Sequence, residues 1–149
     1  MRAGHIYTAV DDGQPGLSGN GGPAVHASIF PGPITADGFG NILISDINQV
    51  QVVAARDGTF YGQPMRHGNI DAAAGVSRPI SRLIQDGWLA SRVQLGQQSG
   101  ITVDGDGNVV AANWNSDQVN VIAGQTSTAY GRPMIRAHYY LVAGVSDAS

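Results

Sequence analysis

The chain has 149 residues, a formal net charge of −3 and no cysteine. That is enough chain for one domain with a sizeable core, and it excludes disulfides, thiolate metal sites and a thiol nucleophile. All 11 acidic side chains are Asp and all 8 basic ones are Arg, so a Schiff-base lysine and a phosphate-loop lysine are excluded, as is the basic footprint that nucleic acid requires.

Lys and Glu, both absent, are good helix formers, whereas the 21 Gly and 7 Pro punctuate turns. Val, Ile, Thr and Tyr fill the short runs between them, which predicts an all-β chain of short strands. In chain order, "MRAGHIYTAV" (1–10) has no long apolar run and reads as neither a signal peptide nor a membrane span. If Met1 is the natural start, the default expectation is a soluble, cytoplasmic protein. Within it, "GHIYTAV" (4–10) reads as a strand. A glycine-rich connector follows, and then strands at 33–37, 41–46, 49–55 and 69–74, with "RDGTFYGQPMRHG" as a longer loop before the last. "SRPISRLIQDGWL" (77–89) has Ser77 and Pro79 ahead of Ile80, Leu83 and Ile84, which predicts one short helical turn near 78–85. Four more strands are expected at 100–104, 108–113, 118–123 and 138–143.

The two sets of strands are copies of each other. "ITADGFGNILISD" (34–46) aligns with "ITVDGDGNVVAAN" (101–113) at an offset of 67. "NQVQVVAARDGTFYGQPMRHGNIDAAAG" (48–75) aligns with "DQVNVIAGQTSTAYGRPMIRAHYYLVAG" (117–144) at an offset of 69, two residues being added around Trp114–Ser116. The unit ends "GNIDAAAG" and "AHYYLVAG" are echoed by "GHIYTAV". The chain therefore divides into 1–10, the end of a preceding unit; 11–75, connector and first unit; 76–144, connector and second unit; and a tail, 145–149. Each unit is a four-stranded antiparallel meander that cannot bury both faces alone.

"PGPITADGFGNILISDINQVQVV" resembles the NHL repeat, and "GQPGLSGNGGPAVHASIF" (13–30) is similar to the glycine-rich connectors of bacterial NHL propellers. The resemblance implies an all-β fold of two four-stranded antiparallel propeller blades plus one extra N-terminal strand. Such propellers usually have about six blades, so two blades imply self-association to complete a propeller. Three departures stand out: the family's third-strand Arg is absent, Trp114 interrupts a turn, and only two units are present.

"DGDGN" (104–108) has the Asp-x-Asp-x-Asn spacing of a calcium loop, but Val109 and Asn115 stand where an EF-hand needs Gly and Glu, so a plain hairpin turn is the better reading. His5 and His138 occupy equivalent strand starts, and nothing in the spacing makes the histidines converge on a metal. There is no nucleophile elbow and no dinucleotide fingerprint; no metal, cofactor or catalytic residue is expected. On a propeller, the turn between the second and third strands shares a face with the connectors. That face would gather Asp46, Asn48, Asn113, Trp114, Asn115 and Asp117, with His26, Asp12 and Trp88 nearby. Asx groups beside an exposed aromatic suit a protein, peptide or carbohydrate partner. The expectation is thus a non-catalytic interaction module, with no nucleic-acid or membrane partner. Its rivals are a subunit of an oligomeric propeller lyase or hydrolase, with Asp46, His26, Asn113 or Asp117 in a shared channel, and a purely structural or decayed copy.

Overall fold

The computed structural model describes residues 1–77 and 86–144. The described residues contain β1 (Ile34–Ala36), β2 (Ile42–Ser45), β3 (Gln49–Val53), β4 (Gly58–Phe60), β5 (Gln63–Met65), β6 (Ile70–Gly75), β7 (Gln98–Val103), β8 (Val109–Asn113), β9 (Gln118–Ile122), β10 (Ser127–Ala129), β11 (Arg132–Met134) and β12 (Tyr139–Ala143). Short 3-10 turns occupy Ala24–His26 and Ala90–Arg92. One antiparallel sheet has the order β1-β2-β3-β6, a second β12-β9-β8-β7, and β4-β5 and β10-β11 form two-stranded ribbons.

The chain is all-β, but it is not a propeller. The described residues form two four-stranded and two two-stranded antiparallel sheets, and none of these closes. The extra N-terminal strand is not formed either: residues 4–10 pair with no strand and Ile6 is fully exposed. The expected helical turn near 78–85 lies outside the described residues. Without a ring there is no central channel for copies to share. Self-association to complete a propeller, the propeller loop face for a protein, peptide or carbohydrate, and the channel-enzyme alternative therefore all fall together, as does the reading of a decayed propeller copy. The error has a physical origin. Alternating apolar residues between Asp/Gly/Asn turns specify antiparallel hairpins, whereas ring closure depends on how many sheets there are and how they pack.

The main core lies between the two four-stranded sheets. Leu43, Val50, Val52 and Ala73 of the first cluster with Val109, Ile122 and Tyr139 of the second, and Ala90, Val93 and Leu95 of the second connector fill the space between them. The other face of the first sheet, Ile44, Val53 and Ile70, is covered by Ala24, Ala27 and Ile29 of the first connector. The connectors also occupy strand edges. Gly21 N–H donates to the Ile70 carbonyl at 2.8 Å, and Ile70 N–H donates back to Gly22 at 3.0 Å. Gly87 N–H and the Trp88 carbonyl bond Tyr139 in the same way, each at 2.8 Å. These bonds satisfy backbone groups that an open edge would leave exposed.

The ribbons β4-β5 and β10-β11 occupy what reads in sequence as loop. Each turns through Tyr-Gly with both residues in the left-handed region: Tyr61 at φ 51° and Gly62 at 85°, Tyr130 at 51° and Gly131 at 74°. Two consecutive positive φ values are the mark of a tight hairpin turn, normally Asn-Gly. Tyr is a costly choice there unless something holds it, and what holds it is described next.

Candidate functional site

The predicted site residues lie at the end of the sheets where β2 passes into β3 and β8 into β9. Asp46 is buried; its carboxylate accepts from Ile47 N–H at 2.6 Å and from Phe30 N–H at 3.4 Å. Burial pushes its pKa above the ordinary carboxylate value, although those two backbone bonds oppose the shift. The Asn48 side-chain amide faces the Leu95 carbonyl at 3.1 Å and that of Ile47 at 3.2 Å, partners that its nitrogen satisfies once the amide is turned over. Asn113 is buried and accepts from Asn115 N–H at 3.1 Å. Trp114 is 65% exposed, and Asn115 and Asp117 are exposed. His26 is not with them: it lines a separate shallow groove with Thr8, Val10, Asp11 and Asp12. Trp88 packs against the main core. Asp46 and Asn113 thus spend hydrogen-bonding capacity on the fold, and of the predicted residues at this end Trp114, Asn115 and Asp117 are exposed.

The opposite end of the sheets holds a better-formed cleft. The β1–β2 and β7–β8 turns face it, and it has a volume of about 600 Å³, within the range of small-molecule sites. Asp37, Phe39, Phe60 and Tyr61 line it from the first unit, and Asp104, Asp106, Gln125 and Arg136 from the second.

Each turn is built around a saturated aspartate. Asp37 accepts from Phe39 N–H and Asn41 N–H through Oδ1, both at 2.9 Å, and from Asn41 Nδ2 at 2.8 Å and Tyr61 OH at 3.2 Å through Oδ2. Asp104 does the same with Asp106 N–H at 3.0 Å, Asn108 N–H at 2.8 Å, Asn108 Nδ2 at 2.8 Å and Tyr130 OH at 2.7 Å. Four donors fill the lone-pair sites of a carboxylate, so "DGDGN" is a closed turn network. Among the described residues no group of three or more His or Asp is placed to hold a metal.

The tyrosine hydroxyl is the clamp that holds each ribbon against its turn, and the pKa values follow from it. Burial raises that of Tyr61, and the Asp37 charge and hydrogen bond raise it further. The hydrogen bond to Asp104, with burial and the Asp104 charge, pushes Tyr130 up to about 12. Burial acts to raise Asp104, but the bonds from Asn108, Tyr130 and Asp106 outweigh it and hold the carboxyl below its ordinary value.

What remains free in the cleft is different in kind. The Asp106 carboxylate and the Arg136 guanidinium make no hydrogen bond or ion pair among the described residues, and both residues are exposed. Phe39 is 58% exposed, with its ring 5.7 Å from that of Phe60 and the Arg56 guanidinium 4.9 Å from its centroid. Sequence reasoning passed over this cleft because it took the Asp-Gly turns only as turns. A signal was present: at the offsets of the repeat, Phe39 stands against Asp106, Arg56 against Gln125 and His67 against Arg136. The residues that make the turn are repeated, whereas Phe39, Asp106, Gln125 and Arg136 in the cleft differ from their counterparts.

Fold and cleft together define an all-β domain of two packed antiparallel sheets with a small-molecule-sized cleft at one end. No family model matches the chain, and no curated protein matches it. No helix among the described residues is long and apolar enough to cross a membrane.

Proposed function

We propose that the chain is a small-ligand-binding domain whose site is the cleft between the β1–β2 and β7–β8 turns. The observation that carries this reading is the coincidence, in one cleft of about 600 Å³, of an exposed aromatic ring, Phe39, with two unpaired charges of opposite sign, Asp106 and Arg136. An exposed Phe has no role in holding a turn that its counterpart forms with Asp, and an apolar wall with a few convergent polar groups is the usual make-up of a ligand site. No His or Cys lines the cleft, and Tyr61, which does, is committed as a donor to Asp37. The reading is therefore binding rather than turnover.

The test is an amide NMR titration with 2-phenylethanol, a neutral aromatic probe. Shifts should cluster at residues 38–40, 59–61, 105–107 and 124–125, and Phe39→Ala should abolish them. Shifts confined to the 46–48 and 113–117 end, or none anywhere, would overturn the assignment.

A further inference from the structure

The two internal copies allow fold-required and ligand-directed residues to be separated. Asp37 and Asp104, Asn41 and Asn108, and Tyr61 and Tyr130 are the same in both units and are consumed by the turn networks. Phe39 and Asp106 occupy the same place in their two turns, between the two glycines of "DGFGN" and "DGDGN", and both line the same cleft from opposite units. The fold is satisfied by either residue, so the difference between them sets what the cleft presents. One wall is apolar, with Phe39 against Phe60; the other offers a carboxylate without a donor. Arg136, which replaces the His67 of the first unit, adds a guanidinium without an acceptor.

Resting on the small-ligand reading above, we infer that the cleft selects a small zwitterion with an apolar side group, such as an amino acid with an aromatic side chain, its ammonium on Asp106, its carboxylate on Arg136 and its side group against Phe39. The alternatives suit the cleft less well. A simple cation would leave Arg136 unpaired and facing like charge, and a simple anion would meet Asp106 as well as the charged Asp37 and Asp104. A zwitterion neutralises both free groups at once. The planar guanidinium matches a carboxylate in bidentate fashion, and charge-assisted bonds of this kind are about twice as strong as neutral ones.

Calorimetric titration with L-phenylalanine, phenethylamine, 3-phenylpropanoate and 2-phenylethanol tests this, because the four share the phenylethyl group and differ in the polar groups it carries: both charges, the ammonium alone, the carboxylate alone, or a neutral hydroxyl. L-Phenylalanine should bind at least tenfold more tightly than each of the others. Arg136→Gln should bring its affinity down to that of phenethylamine, and Asp106→Asn down to that of 3-phenylpropanoate. Both residues are exposed, so these variants should fold, with circular dichroism as the check. Equal affinities for the four probes, or affinity for L-phenylalanine unchanged in Arg136→Gln, would overturn the zwitterion inference. In that event 2-phenylethanol shifts at the cleft would leave the binding site itself standing, whereas no shift there from any probe would remove both.

Discussion

At the scale of the residue, close approach decides which glycines matter. Gly75 closes the first unit at φ 88°, and a Cβ built on it would collide with the Asn48 carbonyl oxygen and the Gln49 Cα. Gly144 closes the second unit at φ 97°, against Asp117 and Gln118 in the same way. Gly100, by contrast, has an ordinary φ and open space around it. We expect Gly75→Ala to destabilise the protein by about 2 kcal/mol or more, and Gly100→Ala to be neutral or stabilising by up to about 1 kcal/mol. Urea denaturation midpoints at constant m would separate the two. Trp114 belongs to the same scale. It is 65% exposed on a turn that the first unit makes without it, so Trp114→Ala should change stability by no more than about 0.5 kcal/mol. A loss of several degrees in melting temperature would mean that its indole packs on the domain in solution.

At the scale of the element, the tyrosine clamps explain why each two-stranded ribbon folds back onto its unit. A two-stranded ribbon alone is marginal in water, and the hydroxyl-to-carboxylate bond ties it to the adjacent turn. The clamps also set the response to pH. Asp104 is held below its ordinary pKa of 3.8; this contribution is present above that value and is lost as acid protonates the folded carboxyl. Tyr130 is raised from 10.0 to about 12, so its contribution is present below pH 10 and is lost as pH rises towards 12. The melting temperature should therefore fall above about pH 10, and Tyr130→Phe should start lower at neutral pH but fall less steeply across that alkaline range. An identical alkaline slope in the variant would show that the bond to Asp104 does not govern it. Tyr61→Phe should cost more at neutral pH, about 1.5–3 kcal/mol, because Tyr61 is buried and its hydroxyl bonds an ionised group.

At the scale of the whole molecule, one cluster joins both sheets. Leu43 and Val52 from the first, Ile122 and Tyr139 from the second and Leu95 from the connector between them are all at most 1% exposed and belong to the same core. Each sheet buries its share of this cluster only against the other, so unfolding should be a single cooperative transition. Leu43→Ala should lower stability by about 2–5 kcal/mol, with near-UV and far-UV circular dichroism still changing together. Two resolved transitions would mean that the sheets hold their structure independently.

The division between sequence and tertiary structure follows from the range of the forces involved. Local chemistry was enough for the all-β class, the eight strands of the two four-stranded sheets and the repeat at offsets of 67 and 69, because side-chain alternation and Asp/Gly/Asn turns act within a few residues. The ribbons escaped notice because Tyr-Gly is an uncommon hairpin turn, stabilised by an aspartate 24 residues away in the first unit and 26 in the second. A resemblance carried by Gly-Asn turns pointed to a propeller, since those turns serve any antiparallel sheet. What covers Ile44 and Ile70, which edges the connectors pair with, and that no ring closes were settled only by packing between distant segments. The same holds for the cleft. Asp46 and Asn113 look available in sequence but are buried, whereas Phe39 of the first unit meets Asp106 and Arg136 of the second only because the two units pack with their Asp-Gly turns facing one cleft.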